Sequence, residues 1–96
     1  MAARVYLPPA VVAQIEGAAD YVAKDNPDSV RALLERLYNR CLSLEHFPHR
    51  GAPYGDHYRR IIEGRYQIIY RIEESDADTT VVILAVHHTS RRSWEE

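Results

Sequence analysis

The apolar residues of this chain change period near its middle, and that change constrains the fold more than any other feature. Up to Leu44 they recur at steps of three and four; from Tyr58 onward they alternate or run together between short turn signals. The first pattern makes a stripe on a helix, and the second belongs to strands. Helices followed by consecutive strands indicate an α+β fold, with a helical hairpin packed on a small antiparallel sheet.

Arg4-Val5-Tyr6-Leu7 is a short β-favouring run stopped by Pro8-Pro9, and it is expected to form an N-terminal edge strand. From Ala10 to about Asp25, Val11, Ile15, Ala18 or Ala19, and Val22 make one helical stripe, in which Gly17 could admit a close neighbour. Asn26-Pro27 supplies an N-cap and a first-turn proline for a second helix. Val30, Leu34, Leu37, Cys41 and Leu44 form its stripe, Leu33 widens it, and it must stop near Phe47-Pro48. Pro48 to Asp56 reads as a turn-rich connector. Tyr58–Ile62 and Arg65–Ile72 flank Glu63-Gly64, the pattern of a tight hairpin. In the second of these strands Tyr66, Ile68, Tyr70 and Ile72 should face the helices, with Arg65, Gln67, Ile69 and Arg71 on the other side. After the acidic turn Glu73 to Asp78, Thr79 to Val86 is apolar on both faces, as an interior strand requires.

At 96 residues, with 46% hydrophobic and 27% charged side chains, the chain has room for one domain spanning residues 1–96. No stretch is long and apolar enough to suggest a membrane span, and the N-terminus lacks a secretory pattern, so a cytoplasmic protein is expected. Its one cysteine, Cys41, cannot form an internal disulfide and sits on a helical stripe as a small core residue. Net charge is -2, but basic charge is concentrated in the middle: residues 46–72 carry five basic and two acidic side chains, against two and six in residues 73–96. All the basic residues but one are arginine, whose planar fork suits carboxylates, phosphates and aromatic rings. Arg59, Arg60, Arg65 and Arg71 could join Arg91 and Arg92 in one basic patch facing a phosphate backbone or an acidic target; the plainer alternative is a solvated sheet face paired to Glu63, Glu73 and Glu74.

Adjacent on a strand, His87 and His88 would point to opposite faces and cannot form a dyad. His88 near an arginine could serve as an acid or base, or simply hydrogen-bond at the strand end, with His87 facing solvent. His46-x-x-His49 has a tolerable metal spacing but no cysteine pair beside it, and no metal or other cofactor is expected. Tyr54 and Tyr58 could stack bases or simply line the loop; Tyr66 and Tyr70, in phase with Ile68 and Ile72, belong to the core.

The run Arg60-Ile61-Ile62-Glu63-Gly64-Arg65-Tyr66-Gln67-Ile68-Ile69-Tyr70-Arg71 resembles the central pattern of the RelE/ParE toxins of bacterial type II toxin–antitoxin modules. Val82 to Arg91 is similar to the closing motif of the ParE branch, with Val86, His88 and Arg91 in its places, and Leu44 to Gly51 matches the leucine, proline and glycine that end the family's second helix. The resemblance covers essentially the whole chain. It implies a growth-arresting toxin bound by a cognate antitoxin, in a hetero-oligomer. An antitoxin tail could lay a helix against a groove or add a strand to an open edge, for which Leu7 and the N-terminal strand are the features to watch.

The resemblance implies two targets. The RelE branch cuts mRNA on the ribosome with basic and tyrosine residues, and Arg65, Arg71, His88 and Arg91 would take those roles here. The ParE branch inhibits DNA gyrase by binding, with no catalytic residue. Where the RelE branch has a catalytic arginine after the strand tyrosine, this chain has Gln67, which has no charge to stabilise a phosphorane-like transition state. The tail Ser93-Trp94-Glu95-Glu96 also lacks that branch's tyrosine. Both departures favour the gyrase-binding branch, with Arg59, Arg60, Arg65, Arg71, His88, Arg91 and Arg92 as candidate target contacts. A non-toxic binding module on the same scaffold is the third reading.

Overall fold

The computed structural model of the protein describes residues 2–90. The chain runs β1 (Arg4–Tyr6), α1 (Pro9–Ala23), α2 (Val30–Leu42), β2 (Ala52–Tyr54), β3 (Tyr58–Glu63), β4 (Tyr66–Glu74) and β5 (Thr79–His88). The five strands form one sheet in the order β1-β5-β4-β3-β2. Both helices pack on the same face of it.

The helices follow from their stripes. Pro9 occupies the first position of α1, where its missing N–H costs nothing, and Pro8 O accepts from the amides of Val11 and Val12. Val11, Ile15 and Ala19 are buried along α1; Leu33, Leu37 and Cys41 are buried along α2, and Leu44 just beyond it. These side chains meet Ile61, Ile68, Tyr70, Val81, Ile83 and Val86 of the sheet in one core. Gly17 does not admit a close neighbour as expected: it is exposed, with nothing within 4 Å of where a Cβ would lie. Pro27 opens a 3-10 turn leading into α2, but the Asn26 side chain does not cap it; the main-chain oxygen of Asn26 accepts from Ser29 N (3.1 Å) and Oγ (3.3 Å) instead.

The sheet departs from the expected one in three places. Its N-terminal edge strand is real but pairs in parallel with β5, so the sheet is mixed. The connection between them, through both helices and strands β2 to β4, is long enough for a parallel pair. Within the supposed connector, Ala52–Tyr54 pairs with β3 as the other edge, where Pro53 is tolerated because its outer side needs no donor. The β3–β4 turn is Gly64-Arg65, one residue later than expected, with Glu63 opposite Tyr66. Gly64 has φ +60° and Arg65 is not in the left-handed region, the pattern of a turn with glycine first.

The strand alternation holds: Tyr66, Ile68, Tyr70 and Ile72 all pack in or against the helix-facing core. Their partners across β4–β5 are His88, Val86, Ile83 and Val81. Ile83 and Val86 share that face only because the register slips between Ile69 and Tyr70, leaving Leu84 as an extra residue in β5. Next to this bulge the Val86 amide has no strand beyond it, since β1 ends opposite Val82. Gln14 of α1 fills the gap, its Oε1 accepting from Val86 N at 2.8 Å. Gln14→Ala should therefore lower stability by about 1–2 kcal/mol, the cost of an unmet part-buried donor. Urea denaturation reads that loss, together with faster amide exchange at Val86; unchanged exchange there would remove the role assigned to Gln14.

Candidate binding face

Alternation sorts the arginines onto different surfaces. Arg59 shares the helix-side row with its partner Tyr70, and its Nη1 donates to the carbonyls of Gly51 (2.7 Å) and His49 (3.2 Å). Its charge is spent on holding the loop after α2. Arg60 lies on the opposite face, opposite Ile69, with its guanidinium carbon 5.3 Å from the centroid of the Tyr54 ring. Arg71 shares that face two residues beyond Ile69 but is paired with Glu73, Nε to Oε2 at 2.9 Å. Arg65 is exposed at the hairpin tip. Arg91 and Arg92 lie outside the described residues. The expected patch is thus divided, and Arg60, like Arg65 at the tip and Arg4 of β1, has no carboxylate partner among the described residues.

Arg60 continues into the sheet. Its Nη1 donates to Gln67 Oε1 at 3.4 Å, and Gln67 Nε2 lies 3.3 Å from His87 Nδ1 on the facing position of β5. Gln67 is 5% exposed and His87 8%, so the chain of contacts starts at the surface and ends inside. His87 does not face solvent as expected: the bulge at Leu84 sets it opposite Gln67, on the side away from the helices. Its Nε2 is buried and has no hydrogen-bond partner among the described residues.

His88 goes the other way. Edge-on to Tyr66 with ring centroids 5.5 Å apart, it accepts at Nδ1 from Ser90 N at 3.0 Å and lies 2.8 Å from Ser90 Oγ. It therefore closes the strand end, while Thr89 N donates to Arg65 O at 2.8 Å. Tyr66 and His88, with Gln14, Ala18 and Tyr21 of α1, border an open groove of about 560 Å³ on the helix side. Val86, His87 and Ser90 line the same groove, but His87 is joined to Arg60 through Gln67 and His88 is not.

Other candidates resolve into structure. Burial pushes the Cys41 thiol up to about 12, so no thiolate is present at neutral pH. His46 lies 3.3 Å from Glu45 and His49 3.8 Å from Glu74. Among the described residues no group of three His, Cys, Asp or Glu side chains is placed to hold a metal ion, and no helix is long and apolar enough to cross a membrane. Glu63, on the helix side, holds Arg40 of α2 (Nη2–Oε1 2.7 Å) and lies 3.6 Å from Arg36, tying the helix to the hairpin.

The model of the ParE toxin of the type II toxin–antitoxin system parDE matches residues 5–93. The chain belongs to the ParE toxin family. The toxin–antitoxin complex RelBE2 of Mycobacterium tuberculosis contains a similar fold: one of its chains aligns with a TM-score of 0.60 and 26% identity, over 92% of this chain and 99% of its own length. No curated protein matches the sequence significantly.

In this ParE-family chain two features of the candidate face were not visible as sites in the sequence. Gln67 stood out only as a missing arginine, whereas it is the link between Arg60 and His87. Tyr54 was placed in a loop, whereas β2 brings it under Arg60. The available signal was the polarity of Gln67 and His87 within runs of apolar strand residues. Polar side chains at such positions are expected to find one another.

Proposed function

We propose that this ParE-family toxin arrests growth by binding DNA gyrase, and that a cognate antitoxin holds it inactive in a hetero-oligomer. The observation that carries this reading is Gln67. It is buried and neutral, with its amide committed to Arg60 and His87, at the position where a phosphate-cleaving relative would present a cation. Arg59 and Arg71 are likewise committed, to carbonyls and to Glu73, and His88 is turned to the other face. A set able to bind a phosphodiester, remove a proton and stabilise the transition state does not converge among the described residues, so recognition rather than catalysis fits the geometry. The family membership and the toxin–antitoxin assembly of the structural neighbour support the antitoxin as partner.

A ribosome-dependent mRNA endonuclease is the second reading, favoured by the RelE-type neighbour. Incorporation of labelled thymidine and methionine, followed for minutes after induction without antitoxin, separates the two. Thymidine incorporation should fail first and the cells should filament. Early failure of methionine incorporation would transfer the assignment to mRNA cleavage, and normal incorporation of both would make this a non-toxic module.

A further inference from the structure

The contact chain from Arg60 ends in an unmet donor, and its direction is fixed from the outer end. Arg60 has only donors, so the Gln67 atom facing it is the oxygen, which turns the Gln67 amide nitrogen toward His87. That nitrogen donates, so His87 Nδ1 accepts. The neutral ring then carries its proton on Nε2. A competing contact exists, 3.3 Å from His87 Nδ1 to the His88 carbonyl, and it would hold a proton on Nδ1 if Gln67 were turned over. The Arg60 guanidinium, 3.4 Å away, disfavours that orientation, because it would face two donors toward each other.

Nε2–H is thus a buried donor with no acceptor among the described residues. An orphan of this kind within a fully connected polar chain is a cost that a ligand acceptor would remove. The charge of the face says which acceptor. Arg60 is exposed and has no carboxylate partner among the described residues, as is true of Arg65 at the hairpin tip and Arg4 of β1, while Arg71 is neutralised by Glu73. Positive charge beside the donor suits an anionic acceptor, which on a protein partner is a carboxylate.

We propose that His87 Nε2–H is the recognition donor for a carboxylate side chain of a protein partner, and that Arg60 is a positioning residue that sets the His87 tautomer through Gln67. The carboxylate accepts the Nε2 proton's hydrogen bond as the atoms packed over the ring part, and the Arg60 charge favours its approach. That the partner is a protein rests on the reading above. The tautomer and the carboxylate site are tested without reference to growth arrest, so either can fail alone.

Long-range ¹H–¹⁵N spectra of the full chain report the tautomer directly, and titration at constant ionic strength with acetate, or with dimethyl phosphate as the nucleic-acid analogue, reports the ligand. The expected result is an Nε2–H tautomer whose Nε2 signal moves saturably with acetate, at a concentration at least tenfold below that needed for dimethyl phosphate. Arg60→Ala should populate the Nδ1–H form and weaken acetate binding at least tenfold, and Arg60→Lys should restore both. Because Arg60 is exposed, the alanine variant is expected to fold, and its backbone spectrum shows whether it does. An Nδ1–H ring in the unaltered chain, a non-saturating response, or a tautomer indifferent to Arg60→Ala would overturn the proposal. Equal or tighter dimethyl phosphate binding would overturn the carboxylate in favour of a phosphodiester.

Discussion

Replacing Gly51 by alanine should destabilise the folded chain by about 2–4 kcal/mol, the sum of overpacking and lost hydrogen bonds. A Cβ at Gly51 would lie 2.5 Å from the Tyr70 hydroxyl oxygen and 3.0 Å from the Arg60 carbonyl oxygen. Neither can easily yield. The Tyr70 hydroxyl is buried and doubly committed: it donates to the Pro48 carbonyl at 2.7 Å and accepts from Gly51 N at 3.0 Å. Burial raises its pKa, so at neutral pH it keeps the proton that it donates. Arg59 completes the arrangement by donating to the carbonyls of His49 and Gly51. The loop after α2 thus has its polar backbone satisfied by two adjacent partners in the sheet, Arg59 of β3 and Tyr70 of β4. Tyr70→Phe leaves an amide and a carbonyl unmet and should cost about 1–3 kcal/mol. The two substitutions should not add, because Gly51→Ala costs less once the hydroxyl is gone. Urea denaturation of the two single variants and the double variant measures this coupling; strict additivity would show that the hydroxyl is not what excludes a side chain at Gly51.

Gly51 shows what a sequence pattern can reveal and where it stops. The leucine, proline and glycine after α2 were recognisable as a pattern, but nothing local showed that the glycine makes room for a tyrosine nineteen residues later. The helical stripes were legible because burial on a helix is a short-range periodicity: Leu37, Cys41 and Leu44 announce their face without reference to any partner, although Leu33, read only as widening the stripe, is buried while Val30 and Leu34 are half-buried. β4 was legible for the same reason. Strand pairing is not local. The parallel direction of β1 and the short edge β2 depend on where distant segments come to rest, and neither three-residue run carries a period long enough to read. The candidate face was read least well, because it depends on register. Counting back from the turn pair Glu74–Thr79 without interruption would place Gln67 opposite Val86 and His87 opposite Tyr66. The observed partners of Gln67 and Tyr66 are His87 and His88.

Deleting Leu84 should leave the rest of β5 in place, because the residue removed is the one that has no partner in β4. Ile83 would be followed directly by Ala85, and Ala85, Val86, His87 and His88 would stay opposite Ile69, Ile68, Gln67 and Tyr66 with their faces unchanged. Val86, 2% exposed, keeps its place in the core and its amide its bond to Gln14, and His87 stays beside Gln67 on the far side. In the intact chain the bulge does the same work by setting Leu84 aside: without it, every residue of β5 beyond Ile83 would turn to the other face. The deletion should therefore cost only what the half-buried leucine contributes, no more than about 2 kcal/mol, and Leu84→Ala, which keeps the extra residue, should cost about as much. Urea titrations of the two variants, with amide exchange at Val86, check this. A deletion that abolishes cooperative unfolding while the alanine variant folds would show that Leu84 is not the residue the strand sets aside.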